Sequence, residues 1–182
     1  MRFLYLIPLG IIILLTTACT TQYPNQSITG LSFPSISGQT LAKNNIVIPS
    51  DFSGKTTLLL MGFKHKSQFD IDRWYIGLNM SNTVVDVYEI PAIQGAIPRI
   101  FSAAFDNSMR EGIPENLWKG VITVYEDGET IQAFTGNIIP KNARVVLLNK
   151  DGKILYFYDR GFSIDALTEL RSILAEEVSN DN

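Results

Sequence analysis

The hydrophobic pattern in the first half of the chain predicts a strand, a helix and a second strand. Residues 55–63 are a nearly continuous apolar run, which is typical of a strand covered on both faces. Ser67, with Asp70 three residues later, has the spacing of a capping box at a helix start. Apolar residues then recur at helical spacing, at Phe69, Ile71, Trp74, Tyr75 and Leu78. The Val- and Tyr-rich residues 83–90 predict a second buried strand. We therefore expect a right-handed βαβ unit.

The second half predicts strands of antiparallel character and further helices. Pro98 is placed to open a helix that Gly112 and Pro114 end, and its apolar stripe comprises Ile100, Phe101, Ala104 and Phe105. Short strands are expected at 45–49, 120–125 and 143–148, and a short helix or turn at 129–134. Residues 149–152, Asn-Lys-Asp-Gly, are a hairpin signal into a strand over 153–158. Ser163 then caps a last helix that reaches Val178.

The first nineteen residues have the pattern of an export signal. Arg2 is basic, residues 3–15 are almost wholly apolar, and small residues at 16–18 lead directly into Cys19, the only cysteine. The apolar stretch is shorter than the roughly 20 residues that a spanning helix needs. The pattern resembles a bacterial lipoprotein signal, in which Cys19 is acylated and becomes the mature N-terminus, although Thr16 stands where Leu is common. The alternative is an ordinary signal peptide with an incidental cysteine.

These patterns predict one domain behind a membrane anchor. We expect a signal peptide over 1–18, a flexible tether over 19–32, a domain over 33–178 and a tail over 179–182. The tether is polar and is broken by Pro24 and Gly30. A domain of about 150 residues buries enough surface to need no disulfides. By resemblance to lipoprotein sorting in double-membraned bacteria, Thr20 in place of Asp favours the outer membrane, with the domain facing the periplasm.

Composition excludes several classes of function. Lys and Arg number 15 against 18 Asp and Glu, a net charge of −3, so we expect no nucleic-acid partner. With one His and one Cys, the chain has no multi-histidine metal site and no internal Cys-x-x-Cys pair. We expect no metal and no cofactor.

The order of elements and two stretches of sequence resemble the thioredoxin fold. Residues 51–55 with the apolar strand over 57–63 are similar to the lead-in and central strand of membrane-tethered thioredoxin-like proteins. Residues 145–154 with Gly161 and the final helix are similar to their closing hairpin. Met109, Arg110 and 112–114, with the strand at 121–125, more loosely resemble the mitochondrial ATP synthase assembly factor family. The resemblance implies an α/β, thioredoxin-like three-layer fold, with a mixed central sheet and helices on both faces.

The residues at the expected thioredoxin active site differ from that family's pattern. Lys64, His65, Lys66 and Ser67 stand where thioredoxins have Cys-x-x-Cys, and no proline directly precedes the strand over 145–148. A peroxidase of this fold also needs a cysteine within the domain. We therefore expect the scaffold without catalytic residues, and a protein that is not an enzyme.

Lys64, His65 and Lys66 are the first candidate binding residues. The free N–H groups and dipole of a helix N-terminus favour an anion or an acidic segment of a partner. Arg110, on a later predicted helix, is a further candidate for contact with a partner. The competing interpretation is a solvated basic loop that opposes Asp70 and Asp72, where each exposed pair contributes about 0–1 kcal/mol.

These features favour a lipid-anchored, non-catalytic thioredoxin-like protein that binds another cell-envelope protein, as an assembly or maturation factor. It would be attached to the membrane through fatty acids such as palmitate on Cys19. The alternative is an envelope lipoprotein that binds an anion or small ligand at Lys64, His65 and Lys66. An enzyme of unrecognised chemistry has no positive feature in the sequence.

Overall fold

The computed structural model describes residues 21–180, so the predicted signal peptide and Cys19 lie outside the described residues. Three 3-10 turns, at Ser50–Phe52, His65–Ser67 and Glu115–Gly120, connect strands and helices in this range. No helix within residues 21–180 combines the length and the hydropathy needed to cross a bilayer. In chain order the elements are β1 (Ile36–Thr40), β2 (Asn45–Ile48), β3 (Thr57–Gly62), α1 (Gln68–Met80), β4 (Asp86–Pro91), α2 (Ala96–Ile100), α3 (Ser102–Gly112), β5 (Ile122–Thr123), α4 (Gly128–Thr135), β6 (Arg144–Leu148), β7 (Ile154–Tyr158) and α5 (Ile164–Asn180).

The predicted βαβ unit is formed by β3, α1 and β4. The two strands pair in parallel, from Thr57 opposite Asp86 to Gly62 opposite Pro91. All six residues of β3 are buried, because this strand lies inside the sheet and has side chains packed against both of its faces. The prediction of a buried central strand is confirmed, whereas β4 is an edge strand and is only partly buried.

A four-stranded mixed sheet has the order β4-β3-β6-β7. β6 runs antiparallel to β3, and β7 runs antiparallel to β6. The hairpin between them depends on Asn149, whose Oδ1 accepts hydrogen bonds from the backbone N–H groups of Asp151 and Lys153 at 3.0 and 2.8 Å. Gly152 has a φ of +77°, and a Cβ there would lie 2.7 Å from Cγ of Pro49. The predicted hairpin is therefore confirmed.

Alternate side chains of β3 point into two apolar cores. One core lies between the sheet and helices α1 and α5, with Trp74 at its centre. Trp74 is fully buried, and the rings of Tyr158 and Phe162 meet it edge-on with centroids 5.9 and 5.3 Å away. The opposite core is covered by α4 and by the N-terminal part of the domain, and it contains Phe33, Ile36, Leu59, Met61, Ile131 and Val146. The sheet thus has helices on both faces, as predicted.

A second sheet has the order β2-β1-β5, and the sequence did not predict its central strand. Gly38 in β1 allows β5 to come close, because a Cβ there would lie 2.6 Å from the side chain of Ile122. The strand predicted at 120–125 also pairs differently from the expectation. β5 is antiparallel to β1, but bridges from Glu89 to Val121 and from Ala92 to Val124 are parallel, so this segment also continues the edge of the four-stranded sheet.

The predicted flexible tether differs from what the structure shows for residues 21–32, which we call the docked segment. Ile28 in this segment is only 1% exposed. Asn137 holds the segment from the domain side, since its Oδ1 accepts from the N–H of Tyr23 at 2.7 Å and its Nδ2 donates to the carbonyl of Thr21 at 2.9 Å. Gly136 is tightly covered, because a Cβ there would overlap with Cα of Asn25. The polar sequence forms no helix or strand here, yet it packs along the domain.

Candidate functional site

The predicted basic residues lie where β3 ends and α1 begins. Phe63 is buried, and the next three side chains, Lys64, His65 and Lys66, are exposed. We call these three residues the basic cluster. Gly62 makes the tight junction possible, because a Cβ there would lie 2.5 Å from Oγ of Ser67 in the following turn. The structure therefore brings the three predicted residues together at one end of the central sheet.

Asp70 does not form the predicted capping box and does not oppose the basic cluster. Oγ of Ser67 donates to the carbonyl of Lys64 at 2.6 Å, and no side chain caps α1. The Asp70 carboxylate is only 6% exposed, and it accepts hydrogen bonds from the backbone N–H groups of Ala143 and Phe162 at 2.8 and 2.7 Å. Buried amides lose more free energy without a partner than an exposed ion pair gains, which explains the inward orientation.

The basic cluster consequently has little negative charge beside it. Asp72 is exposed, and its Oδ1 accepts a hydrogen bond from Nε2 of Gln68 at 3.0 Å. Within residues 21–180 no ion pair joins a residue of the basic cluster to a carboxylate. The interpretation of this segment as a charge-balanced loop is therefore not supported for Asp70.

Arg144, on β6, is a buried cation behind the basic cluster. It is fully buried, and its guanidinium carbon lies 4.8 Å from the ring centroid of Phe63. Its Nε donates to the carbonyl of Gly136 at 3.1 Å, and its Nη1 donates to the carbonyls of Ile139 and Asn142, both at 2.8 Å. Nη2 is buried without a hydrogen-bond partner among the described residues.

These bonds shape the loop between α4 and β6, residues 136–142. Burial lowers the pKa of Arg144 to about 10, against the opposing effect of the Asp159 carboxylate, so this side chain is a cation at neutral pH. The outer side of the loop carries Ile138 and Ile139, which are 52% and 48% exposed. Because Arg144 contacts both Phe63 and this loop, the loop and the basic cluster lie at the same end of the sheet.

Glu89 is a second buried charge, on β4. It is 7% exposed, and its carboxylate accepts a long hydrogen bond of 3.4 Å from Nε2 of Gln68. Burial raises the pKa of Glu89, the bond from Gln68 opposes the rise, and the charge of Asp72 adds to it. Burial also raises the pKa of Tyr75, and the negative charge of Glu89 contributes to that shift. This group was not predicted, although a Glu next to the apolar Ile90 in the predicted strand was a visible signal.

The helix predicted from Pro98 to Gly112 is divided into α2 and α3, with Phe101 between them. The side of α3 that faces the domain carries the half-buried Met109 and Asp106, the one buried residue of this helix among those described. Oδ1 of Asp106 accepts from the hydroxyl of Tyr125 at 2.8 Å. The predicted apolar stripe faces solvent instead. Ile100, Phe101 and Phe105 are 75%, 56% and 44% exposed, and we call them the α3 apolar surface.

Arg110 is not part of the basic cluster. Its Nε donates to the carbonyl of Leu41 at 2.7 Å, its Nη1 donates to Oδ1 of Asn107 at 2.8 Å, and its guanidinium carbon lies 5.9 Å from the ring centroid of Trp118. These contacts attach the end of α3 to the turn between β1 and β2. The structure therefore brings three of the four predicted binding residues together and places Arg110 elsewhere.

The sequence indicated some of the residues described above and gave no indication of others. Arg144 was missed, although a single Arg in the apolar run 143–148 was its signal. The inward role of Asp70 had no sequence signal, because its partners are 73 and 92 residues away. Cys19 lies outside the described residues, so its acylation stays a prediction. Within residues 21–180 no group of three or more His, Cys, Asp or Glu side chains is arranged to hold a metal ion.

Comparisons with known proteins support the fold. No protein-family model matches the chain, and no curated protein matches its sequence. Solved structures do match. Copper-bound yeast Sco1 has a TM-score of 0.58 at 10% identity, over 83% of this chain and 95% of that one. A thiol peroxidase from Chromobacterium violaceum has 0.54 at 11% identity, over 88% and 93%. The thioredoxin domain of a thiol-disulfide oxidoreductase from Bacteroides vulgatus has 0.51 at 18% identity, over 81% and 98%.

The chain therefore has a thioredoxin-like fold, as predicted. The prediction that it is not an enzyme is contradicted, because proteins of this fold with matching structures include a thiol peroxidase and a thiol-disulfide oxidoreductase. The absence of thiols at Lys64 to Ser67 does not by itself exclude catalysis on a scaffold that supports redox enzymes. At 10–18% identity these likenesses show the fold and assign no reaction.

Proposed function

We propose that this thioredoxin-like protein is anchored in the cell envelope by lipid on Cys19 and binds another envelope protein, as an assembly or maturation factor. The anchor is supported by Arg2, by the apolar residues 3–15 and by the small residues that precede the single cysteine. The favoured location is the outer membrane, with the domain in the periplasm. The partner is the part of the proposal that the geometry of the domain addresses.

The observation that carries partner binding is the orientation of α3. Surface helices normally turn their apolar stripe toward the core, whereas α3 turns Asp106 inward and leaves Phe105, with Phe101 just before the helix, in solvent. The hydrogen bond from Tyr125 to Asp106 and the bond from Arg110 to the carbonyl of Leu41 hold the helix in this orientation. Exposed contiguous apolar residues on a soluble domain mark interaction sites. A protein segment with apolar side chains is the occupant that we infer.

The basic cluster adds a chemical preference to this proposal. Its three exposed side chains form no ion pair with a carboxylate within residues 21–180, so a partner does not have to displace one. Complementary charge accelerates association and selects among partners more than it raises affinity. The proposed partner therefore combines an apolar segment for the α3 apolar surface with acidic residues for Lys64, His65 and Lys66.

The test is recovery of a stoichiometric partner with the tagged protein from solubilised envelopes. The variant Phe101→Ser/Phe105→Ser removes the aromatic rings of the α3 apolar surface. The matched control, Met80→Ser/Val84→Ser, changes two side chains that are 79% and 90% exposed. We expect the partner to be lost at least tenfold from the first variant and retained by the control. Equal recovery from both would contradict the proposed surface.

Binding of a small anion at the basic cluster is a second candidate function. The observation that favours it is the start of this helical segment, because no side chain caps the 3-10 turn at His65–Ser67 or α1 after it. Millimolar phosphate should then raise Tm in the wild type and leave Tm unchanged in Lys64→Gln/Lys66→Gln. An equal rise in both proteins would remove this candidate.

A further inference from the structure

The docked segment restricts where the membrane lies relative to the domain, and this inference rests on the lipid attachment proposed for Cys19. The carbonyl of Thr21 accepts a hydrogen bond from Nδ2 of Asn137 at 2.9 Å. Cys19 precedes Thr21 by two residues, which span at most about 7 Å of fully extended chain. A lipid on Cys19 therefore lies close to the point where Asn137 holds Thr21.

Several contacts bind the docked segment, so its position on the domain is fixed. Oδ1 of Asn137 accepts from the N–H of Tyr23 at 2.7 Å, and the Tyr23 hydroxyl donates to the carboxylate of Glu129 at 2.6 Å. Nε2 of Gln26 donates to the carbonyl of Ala133 at 3.1 Å. Further along, Ile28 is buried in the core. These contacts join the segment to α4 and to the start of loop 136–142.

The surface beside this place is apolar and basic. Ile138 and Ile139 follow Asn137 directly and are 52% and 48% exposed, although large apolar side chains gain free energy from burial. Lys141, two residues further, is also exposed. Apolar side chains next to a cation match the boundary between the acyl chains and the phosphate headgroups of a bilayer.

We propose that loop 136–142 is a membrane-contact surface, with Ile138 and Ile139 inserted among the lipids and Lys141 at the phosphates. The occupant is the bilayer in which Cys19 is anchored, because two residues of chain leave the loop close to the lipid. Arg144 holds the loop in shape through the carbonyls of Gly136, Ile139 and Asn142. The end of the sheet that carries the basic cluster is thereby held near the membrane surface.

The test uses the full chain, purified with its lipid and reconstituted into vesicles of phosphatidylethanolamine and phosphatidylglycerol. Acylation consumes Cys19, so an introduced cysteine becomes the only site for a nitroxide spin label. Labels are placed by Ile139→Cys, by Ile138→Cys as a second variant, and by Val84→Cys as the exposed control. Collision with oxygen, which concentrates in lipid, is compared with collision with a water-soluble nickel complex.

We expect oxygen to exceed the nickel complex several-fold at positions 138 and 139, and the reverse at position 84. If the protein floats with the vesicles and positions 138 and 139 are as accessible to nickel as position 84, the membrane-contact surface is refuted while the lipid anchor stands. Protection at 138 and 139 that arises only after envelope proteins are added would also refute it, in favour of a protein-binding loop. Absence of lipid on Cys19 by mass spectrometry, with no flotation, overturns the proposed anchor and this inference with it.

Discussion

Replacing Asp70 by asparagine tests what holds together the end of the domain that carries the basic cluster. The Asp70 carboxylate accepts from the N–H groups of Ala143 and Phe162, and it thereby joins α1 to the start of β6 and to the segment before α5. Asparagine keeps the size but retains one acceptor oxygen. Its amide NH2 then faces the second N–H, so one hydrogen bond is lost and a buried donor is left without a partner.

The size of the stability change distinguishes this buried hydrogen-bonding role of Asp70 from the helix-capping role that the sequence suggested. An acidic residue in the first turn of a helix contributes about 0.3–1 kcal/mol through the dipole. A hydrogen bond to a charged group contributes about 1.5–3 kcal/mol, and Asp70 makes two. We expect Asp70→Asn to lower the free energy of unfolding by about 2–4 kcal/mol. For a domain of this size, Tm falls by roughly 2–4 °C for each kcal/mol.

Urea unfolding followed by tryptophan fluorescence measures the change, with Asp72→Asn as the matched control on the exposed side of α1. The control should differ from wild type by at most about 0.5 kcal/mol. The effect of Asp70→Asn should also persist at high salt, because screening acts mainly on exposed charges. Equal unfolding free energies for the two variants would refute the proposed junction.

Other substitutions test Arg144, Glu89 and Gly62, which lie near the basic cluster. Arg144→Met should lower the unfolding free energy by about 3 kcal/mol or more, because it leaves buried carbonyls without a donor. The same variant should speed amide hydrogen exchange in residues 136–142, and unchanged exchange there would contradict this role. The raised pKa of Glu89 means that ionisation destabilises the fold as pH rises through the interval between its unfolded and folded pKa values. Glu89→Gln should therefore raise Tm at pH 7 with no gain below about pH 4, and an equal gain at both pH values would contradict this role. Gly62→Ala should lower the free energy of unfolding by about 1–3 kcal/mol, because the added Cβ contacts Oγ of Ser67. In a double-mutant cycle Ser67→Ala should recover part of that loss, and additive effects would argue against the contact.

The elements that could be predicted are those whose local pattern agrees with their tertiary setting. β3 and β6 are apolar runs buried on both faces, and the hairpin at Asn149 has its own turn chemistry. β1 was not predicted because its sequence, Ile-Ser-Gly-Gln-Thr, is mostly polar. It forms a strand because β5 packs closely against it at Gly38. A local pattern carries no information on such a long-range fit.

The candidate site was predictable in position and less so in chemistry. The basic cluster follows directly from the end of a recognisable strand, so its place at the sheet end could be anticipated. The orientation of α3 could not, because the amphipathic pattern gives two faces and only the contacts of Asp106 and Arg110 decide which face turns inward. Asp70 likewise has partners that only the folded chain brings within reach.

The two tryptophans lie in different parts of the domain, and this separation provides two intrinsic optical reporters. Trp74 is enclosed by Tyr158 and Phe162, so its emission should shift to longer wavelength only when α1 separates from the closing hairpin. Trp118 is half-buried, with its Nε1 bonded to the carbonyl of Ile113 at 2.8 Å and Arg110 near its ring. In a Trp74→Phe background Trp118 is the remaining tryptophan, and its spectrum reports on the surroundings of the end of α3. Detachment of that helix and global unfolding thus become distinguishable events without any added dye.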